Sequence, residues 1–286
     1  MDIDLYDYYP VIFIAVGLFG LLTGSFLSVV IARYPKMLQQ QWQADCREFL
    51  GLTKESYGEK ISLALPRSHC PHCKTQLKFY HNIPLGSYLF LRGKCAFCQR
   101  PIPTLYPIIE GLTCLMSLAI FWRFGLTWQM PMGLIFTYCL LTLCFIDFQH
   151  QLLPDTITLS TLWIGLLANT FTLFTPLHQS VWAAAMGYVI LWLSAWLFLH
   201  IRHKQGMGHG DFKMMAMAGA WLGIYGMLNT LLLAVIVGAV LSLLLMAVKL
   251  IQWQRPIPFG PFIGLAAWIT FITNPFVIHW LRVIPT

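Results

Sequence analysis

GMGHGDFKMMAMAGAWLG, residues Gly206–Gly223, is an apolar stretch that opens on an acid. Beyond Lys213 it holds mostly Met, Ala, Leu and Trp, and it reads as a hydrophobic helix. Gly206, Gly208 and Gly210 alternate just before Asp211. Glycines at that density permit unusual backbone angles and the close approach of another chain. A plain helix cap does not need them. A carboxylate at the mouth of a membrane-spanning segment is costly, and it marks a functional site by default.

Composition makes the membrane reading general. The 286 residues are 58% hydrophobic and only 10% charged, against about 25% charged in an average soluble domain. A span takes roughly 20 apolar residues. Hydropathy predicts an all-α polytopic membrane protein with about eight transmembrane helices, near 9–31, 107–123, 130–147, 157–175, 181–199, 212–227, 229–249 and 260–280. The first run follows Asp2, Asp4 and Asp7 rather than a basic segment, so it reads as a span and not as a signal peptide. Aromatic residues, many near span ends, read as interfacial anchors.

Charge sets the expected orientation. With the N-terminus outside, sixteen of the eighteen Lys and Arg residues fall inside, and only Arg123 and Arg282 fall outside. The net charge of +7 then belongs to a cytoplasmic surface facing anionic lipid. The basic residues are scattered and carry no nucleic-acid motif, so nucleic acid is excluded as a partner.

Residues 32–106 are the one long polar segment, and the expected division is a first helix over 1–31, a small cytoplasmic domain over 32–106 and a membrane domain over 107–286. HCPHC and KCAFC place Cys70, Cys73, Cys95 and Cys98 in two C-x-x-C knuckles. That is the pattern of a structural four-thiolate zinc site, which staples a segment too small to build its own core. The alternatives are four reduced thiols, two disulfides, or His69 or His72 as substitute ligands. Disulfides do not suit a cytoplasmic face. Cys46, Cys114, Cys139 and Cys144 lack such spacing and read as packing residues.

Of the eleven acids, Glu110, Asp147, Asp155 and Asp211 lie in or at the ends of spans, and the expected topology puts all four at the cytoplasmic side. Asp155 after Pro154 reads equally well as an N-cap. Glu110 has a bland account in a loop Arg or a helix N-terminus. Asp147 ends the run LLTLCFID, at a helix C-terminus where its charge opposes the dipole. Two such aspartates brought together cannot both ionise, so one proton is shared. The ionised acid can take a proton from water while the protonated one donates to a carbonyl, as in aspartic proteases. The rival is a proton- or ion-coupled transporter, although no convincing internal repeat supports it.

At these residues the chain resembles the type IV prepilin peptidases, bifunctional leader peptidases and N-methyltransferases. The likeness runs through GSFLSVVIARYP (Gly24–Pro35), SHCPHCKTQL, NIPLGSYLFLRGKCAFCQRPI, YPIIEGLT, FIDFQHQLLPDTITL (Phe145–Leu159) and the opening stretch. Ser28 stands where many relatives carry Asn, and Leu105 where many carry Arg. The resemblance implies Asp147 and Asp211 as the catalytic pair of a GxGD-type intramembrane aspartic protease, with Asp155 outside it. It implies cleavage of prepilins and pseudopilins at a Gly–Phe type bond, then methylation of the new amine from S-adenosylmethionine. It also implies a place in the bacterial inner membrane, in pilus biogenesis and type II secretion. Glu110 and the large loop are the expected methyltransferase side. No Gly-rich nucleotide fingerprint marks a cofactor site.

Overall fold

The computed structural model describes residues 5–52, 61–70, 72–78, 80, 83–204, 206–248 and 258–273. Asp2, Asp4, Glu55, Glu59, Lys54, Lys60, Lys249, Arg255, Arg282 and the 274–280 end of the last expected span lie outside the described residues. Eight helices are present among them: α1 (Leu5–Phe49), α2 (Gly86–Phe90), α3 (Leu105–Phe124), α4 (Gln129–His150), α5 (Asp155–Thr170), α6 (Leu177–Arg202), α7 (His209–Ala247) and α8 (Gly260–Thr273). Five of these, α1, α3, α4, α6 and α7, are long and apolar enough to cross a membrane. The chain is an all-α, multi-pass membrane protein. In lipid every backbone polar group needs an internal partner, and a helix supplies one within the segment.

Three spans differ from the sequence expectation. The first helix does not end at residue 31 but continues through the polar segment to Phe49, passing Pro35. The sixth and seventh expected spans are two helices, carried here under the one label α7, that meet at Gly223 and not near residue 228. Gly223 has φ 68° and ψ −173°, a combination open essentially to glycine alone. A Cβ there would also meet the Thr175 hydroxyl at 2.6 Å.

The chain divides into two compact units, Met1–Trp122 and Arg123–Thr286. In the first, α1 and α3 approach closely because Gly20 and Gly24 share one face of α1. A Cβ on Gly20 would lie 2.9 Å from the Cys114 Cα, and one on Gly24 would lie 2.8 Å from the Glu110 Cα.

In the second unit α7 is central, packing on α5, α6 and α8. Small residues again set the distances: a Cβ on Gly219 would lie 2.5 Å from the Ala183 carbonyl oxygen. An aromatic cluster fills the interior. Phe136 stacks on Trp221 at 4.7 Å, and Phe271 meets Phe124, Phe136 and Phe174 at 5.1–5.2 Å. Aromatic residues are therefore not only interfacial anchors. Trp122 and Trp128 are exposed as that role requires, whereas Trp221 and Phe136 are fully buried.

The break in α7 is satisfied by side chains from its neighbour. Asn169, fully buried on α5, donates to the Ala220 carbonyl and to the Ser180 hydroxyl, each at 2.9 Å. Its own oxygen accepts from the amides of Phe174 and Thr175. The Trp221 indole donates to the Thr161 carbonyl at 2.8 Å. A non-helical residue inside apolar surroundings persists where such partners take over the freed backbone groups.

Candidate active site

Asp147 lies in the last turn of α4, and Asp211 in the first turn of α7 after the N-cap Gly208. Both are buried, at 5% and 8% exposure, and Asp211 lies within range of the charge on Asp147. Both belong to the second unit. The opposition between Asp147 and the dipole of its own helix has a local remedy. The Gly260 amide, at the start of α8, donates to Asp147 Oδ2 at 3.1 Å, so the carboxylate rests on the positive end of another helix.

The three glycines before Asp211 do separate things, and none has a positive φ. The expected unusual angles are absent; the glycines act by leaving space. A Cβ on Gly210 would lie 2.8 Å from the Leu153 Cβ, and one on Gly206 would lie 2.7 Å from the Phe198 ring. Both therefore permit close packing. A Cβ on Gly208 would meet nothing nearer than Asp211 Oδ2 at 3.8 Å. A methyl group would thus fit beside one of the two carboxylates at ordinary contact distance.

Asp155 resolves differently from its sequence reading. The N-cap of α5 is Pro154, and Asp155 is the first helical residue, with no side-chain capping bond. Its two carboxylate oxygens instead accept from Lys213 Nζ, each at 2.7 Å. Lys213 is thereby committed to Asp155 rather than to Asp211, and the pair ties the start of α5 to the first turn of α7.

In the first unit the two knuckles repeat one geometry. The Cys70 amide donates to the Thr75 carbonyl and the Cys95 amide to the Arg100 carbonyl. Lys74 and Gln99, each directly after the second cysteine of its knuckle, have φ 59° and 56°. The four Sγ atoms lie within 4.8 Å of one another, with Cys70 and Cys98 3.8 Å apart. Tetrahedral Zn–S bonds of about 2.3 Å put the sulfurs about 3.8 Å apart, so the donor set fits such an ion. Hydrogen bonds from the Thr75 side chain and backbone bring the Cys73 thiol down to about 6, whereas Cys98 in the same cluster goes up to about 11. The metal-free cluster thus holds thiolate and thiol side by side, and an ion would have to displace a proton. His69 and His72 are turned to other partners, the Arg67 carbonyl and the Arg100 guanidinium.

Glu110 meets no loop arginine but does sit at a helix N-terminus, that of the short α2, whose N-cap is Leu85. Its Oε2 accepts the Leu85 amide at 2.8 Å, and the Ser25 hydroxyl also bonds to it. Leu85 holds φ 52°, so this 8%-exposed acid pins a strained turn of the polar segment to α3. Of the remaining cysteines, Cys114 and Cys144 pack against Gly20 and Gly264 as expected, but Cys46 is exposed on the α1 extension. Sequence reasoning missed Gly260. Its signal was PFGPF, residues 258–262: a glycine between prolines at the head of an apolar run.

The fold and these carboxylates define a class: a multi-pass membrane protein with paired acids at the ends of apolar helices. Two family models match the chain, the bacterial peptidase A24 N-terminal domain over residues 18–124 and the type IV leader peptidase family over residues 134–243. A prepilin leader peptidase/N-methyltransferase of Stutzerimonas stutzeri is 45% identical over 264 residues, 92% of this chain and 91% of the relative. Proteins of the same name from Pseudomonas aeruginosa and Legionella pneumophila are 45% identical over 89% of the chain and 42% over 94%, with 88% and 93% of those relatives covered. The chain belongs to the type IV leader peptidase family. The transporter alternative is not favoured by these matches. No solved structure matches it.

Proposed function

We propose that this protein cleaves the basic leader from type IV prepilins and pseudopilins and then N-methylates the new terminal residue. The observation that carries the peptidase reading is that Asp147 and Asp211 are both buried, with Asp211 in range of the charge on Asp147 and room for a methyl group beside it at Gly208. One carboxylate, ionised, takes a proton from water as the oxygen attacks the scissile carbonyl carbon. The other, protonated, donates to the carbonyl oxygen. Collapse of the tetrahedral adduct breaks the C–N bond, and the departing amine takes up a proton.

Cys70, Cys73, Cys95 and Cys98 would hold a zinc ion in a closed site. The ion would order the segment between α1 and α3 and leave no open position for water. S-adenosylmethionine supplies the methyl group when bound, and Glu110 is our candidate on that side, through the turn it holds at Leu85. We assign the zinc-binding, methyltransferase region to residues 32–106, which Glu110 adjoins from α3, and the membrane peptidase domain to residues 107–286. The location is the bacterial inner membrane with the N-terminus periplasmic and the knuckles cytoplasmic, supported by the distribution of Lys and Arg. The substrate's basic leader then stays at the inner face, and its scissile bond falls at the depth of the two acids.

The test is cleavage of a model prepilin by purified protein, with methylation of a pre-cleaved substrate followed by labelled S-adenosylmethionine. Cleavage and transfer by wild type are expected. Cleavage without transfer would remove the methyltransferase half of the proposal, and Glu110→Gln that methylates normally would remove Glu110.

A further inference from the structure

We infer that the first turn of α8 is the third element of the peptidase site and that Gly260 is the positioning residue for Asp147; this rests on the peptidase reading above. Two observations meet at Gly260. Its amide donates to Asp147 Oδ2 at 3.1 Å. A Cβ added to it would fall 2.5 Å from that same oxygen and 3.1 Å from the carboxyl carbon. The contact therefore admits no side chain at this position. Gly260 is also buried, in a turn where Phe262 packs against Gly238 of α7.

The chemistry needs such a group. Asp147 ends an apolar helix whose own terminus offers carbonyls rather than amides, so nothing on α4 holds its carboxylate in one rotamer. An amide from α8 fixes one oxygen and supports the charged form through a charge-assisted hydrogen bond. A shift of about 1 Å in a reacting group can cost about 100-fold in rate. Gly260 touches neither substrate nor water in this scheme; it acts through Asp147.

The experiment compares kcat and KM of the purified full-length protein on a model prepilin with a basic leader, a Gly–Phe bond and an apolar helix. Three variants are measured, Gly260→Ala, Phe262→Ala and Gly264→Ala. Gly264 is one turn further along α8, and a Cβ there would crowd Cys144 and Met214 without reaching Asp147. Gly260→Ala is expected to lower kcat about 100-fold with KM within twofold. Phe262→Ala, which loosens the same turn by removing the ring that packs against Gly238, is expected to lower kcat at least tenfold at unchanged KM. Gly264→Ala is expected to lower thermal stability while keeping kcat within threefold. If Gly260→Ala does not fold, Phe262→Ala decides. Unchanged kcat in the folded variants, or equal loss in Gly264→Ala, overturns the inference. A wild type that cleaves nothing sinks the peptidase reading instead.

Discussion

The Asp155–Lys213 pair is where the account meets single residues. Its side chains are 55% and 29% exposed, so its net worth to stability is about 1 kcal/mol or less. A structural role alone would leave activity almost untouched. Because Lys213 follows Asp211 by two residues, its tether to α5 fixes the rotation of the first turn of α7. Lys213→Ala is expected to lower prepilin cleavage about tenfold while the melting temperature moves by only a few degrees. The charge-swapped double variant, Asp155→Lys with Lys213→Asp, is expected to regain most of that loss. Cleavage at the wild-type rate in Lys213→Ala would show that the tether does nothing for Asp211. At this scale the sequence was partly legible. It isolated the acids, because an acid in an apolar run has no cheap explanation. It did not assign their partners, because the contacts to Lys213 and Gly260 span 58 and 113 residues.

At the scale of elements, the break in α7 depends on Asn169 more than on Gly223. Glycine makes the backbone angles accessible, but the freed Ala220 carbonyl needs a donor, and Asn169 supplies it. Removing the side chain strands buried groups, at about 1–3 kcal/mol for each one left unsatisfied. Asn169→Ala is therefore expected to lower thermal stability in detergent by several kcal/mol, whereas Asn169→Asp keeps the acceptor but loses the donor to Ala220 and Ser180. Unfolding of Asn169→Ala at the wild-type temperature would contradict this account. Hydropathy found the apolar stretch over 212–249 but misplaced its break. A glycine near residue 228 and one at 223 look alike in hydropathy, and only the facing Thr175 and Asn169 distinguish them. The polar continuation of α1 was missed for a related reason: charge ends a span, yet it does not end a helix.

For the molecule as a whole, the two units predict separable lesions. The four thiols lie in the first unit and the two aspartates in the second. Cys95→Ser is expected to abolish metal binding by the knuckles and reduce methylation of a pre-cleaved substrate severely. Its cleavage should fall by less than threefold. Metal content per chain and the two activities, measured on one preparation, check this together. Equal loss of both activities would show that the knuckles serve the whole protein. The knuckles were readable because paired C-x-x-C spacing is local and specific. The proposed transferase side was not, because no glycine-rich signature marks a cofactor site and Glu110 meets Leu85 across 25 residues, through a turn of the polar segment.

The measurement that tests the central claim most directly is prepilin cleavage by Asp147→Asn and Asp211→Asn, with methylation of a pre-cleaved substrate as the control for folding. Each substitution keeps the size of the side chain and removes the titratable oxygen. The account predicts that both variants lose cleavage by at least a thousandfold, since each acid has a separate proton to move, while both still methylate. Normal cleavage by either variant, with methylation intact, would contradict the paired-acid mechanism.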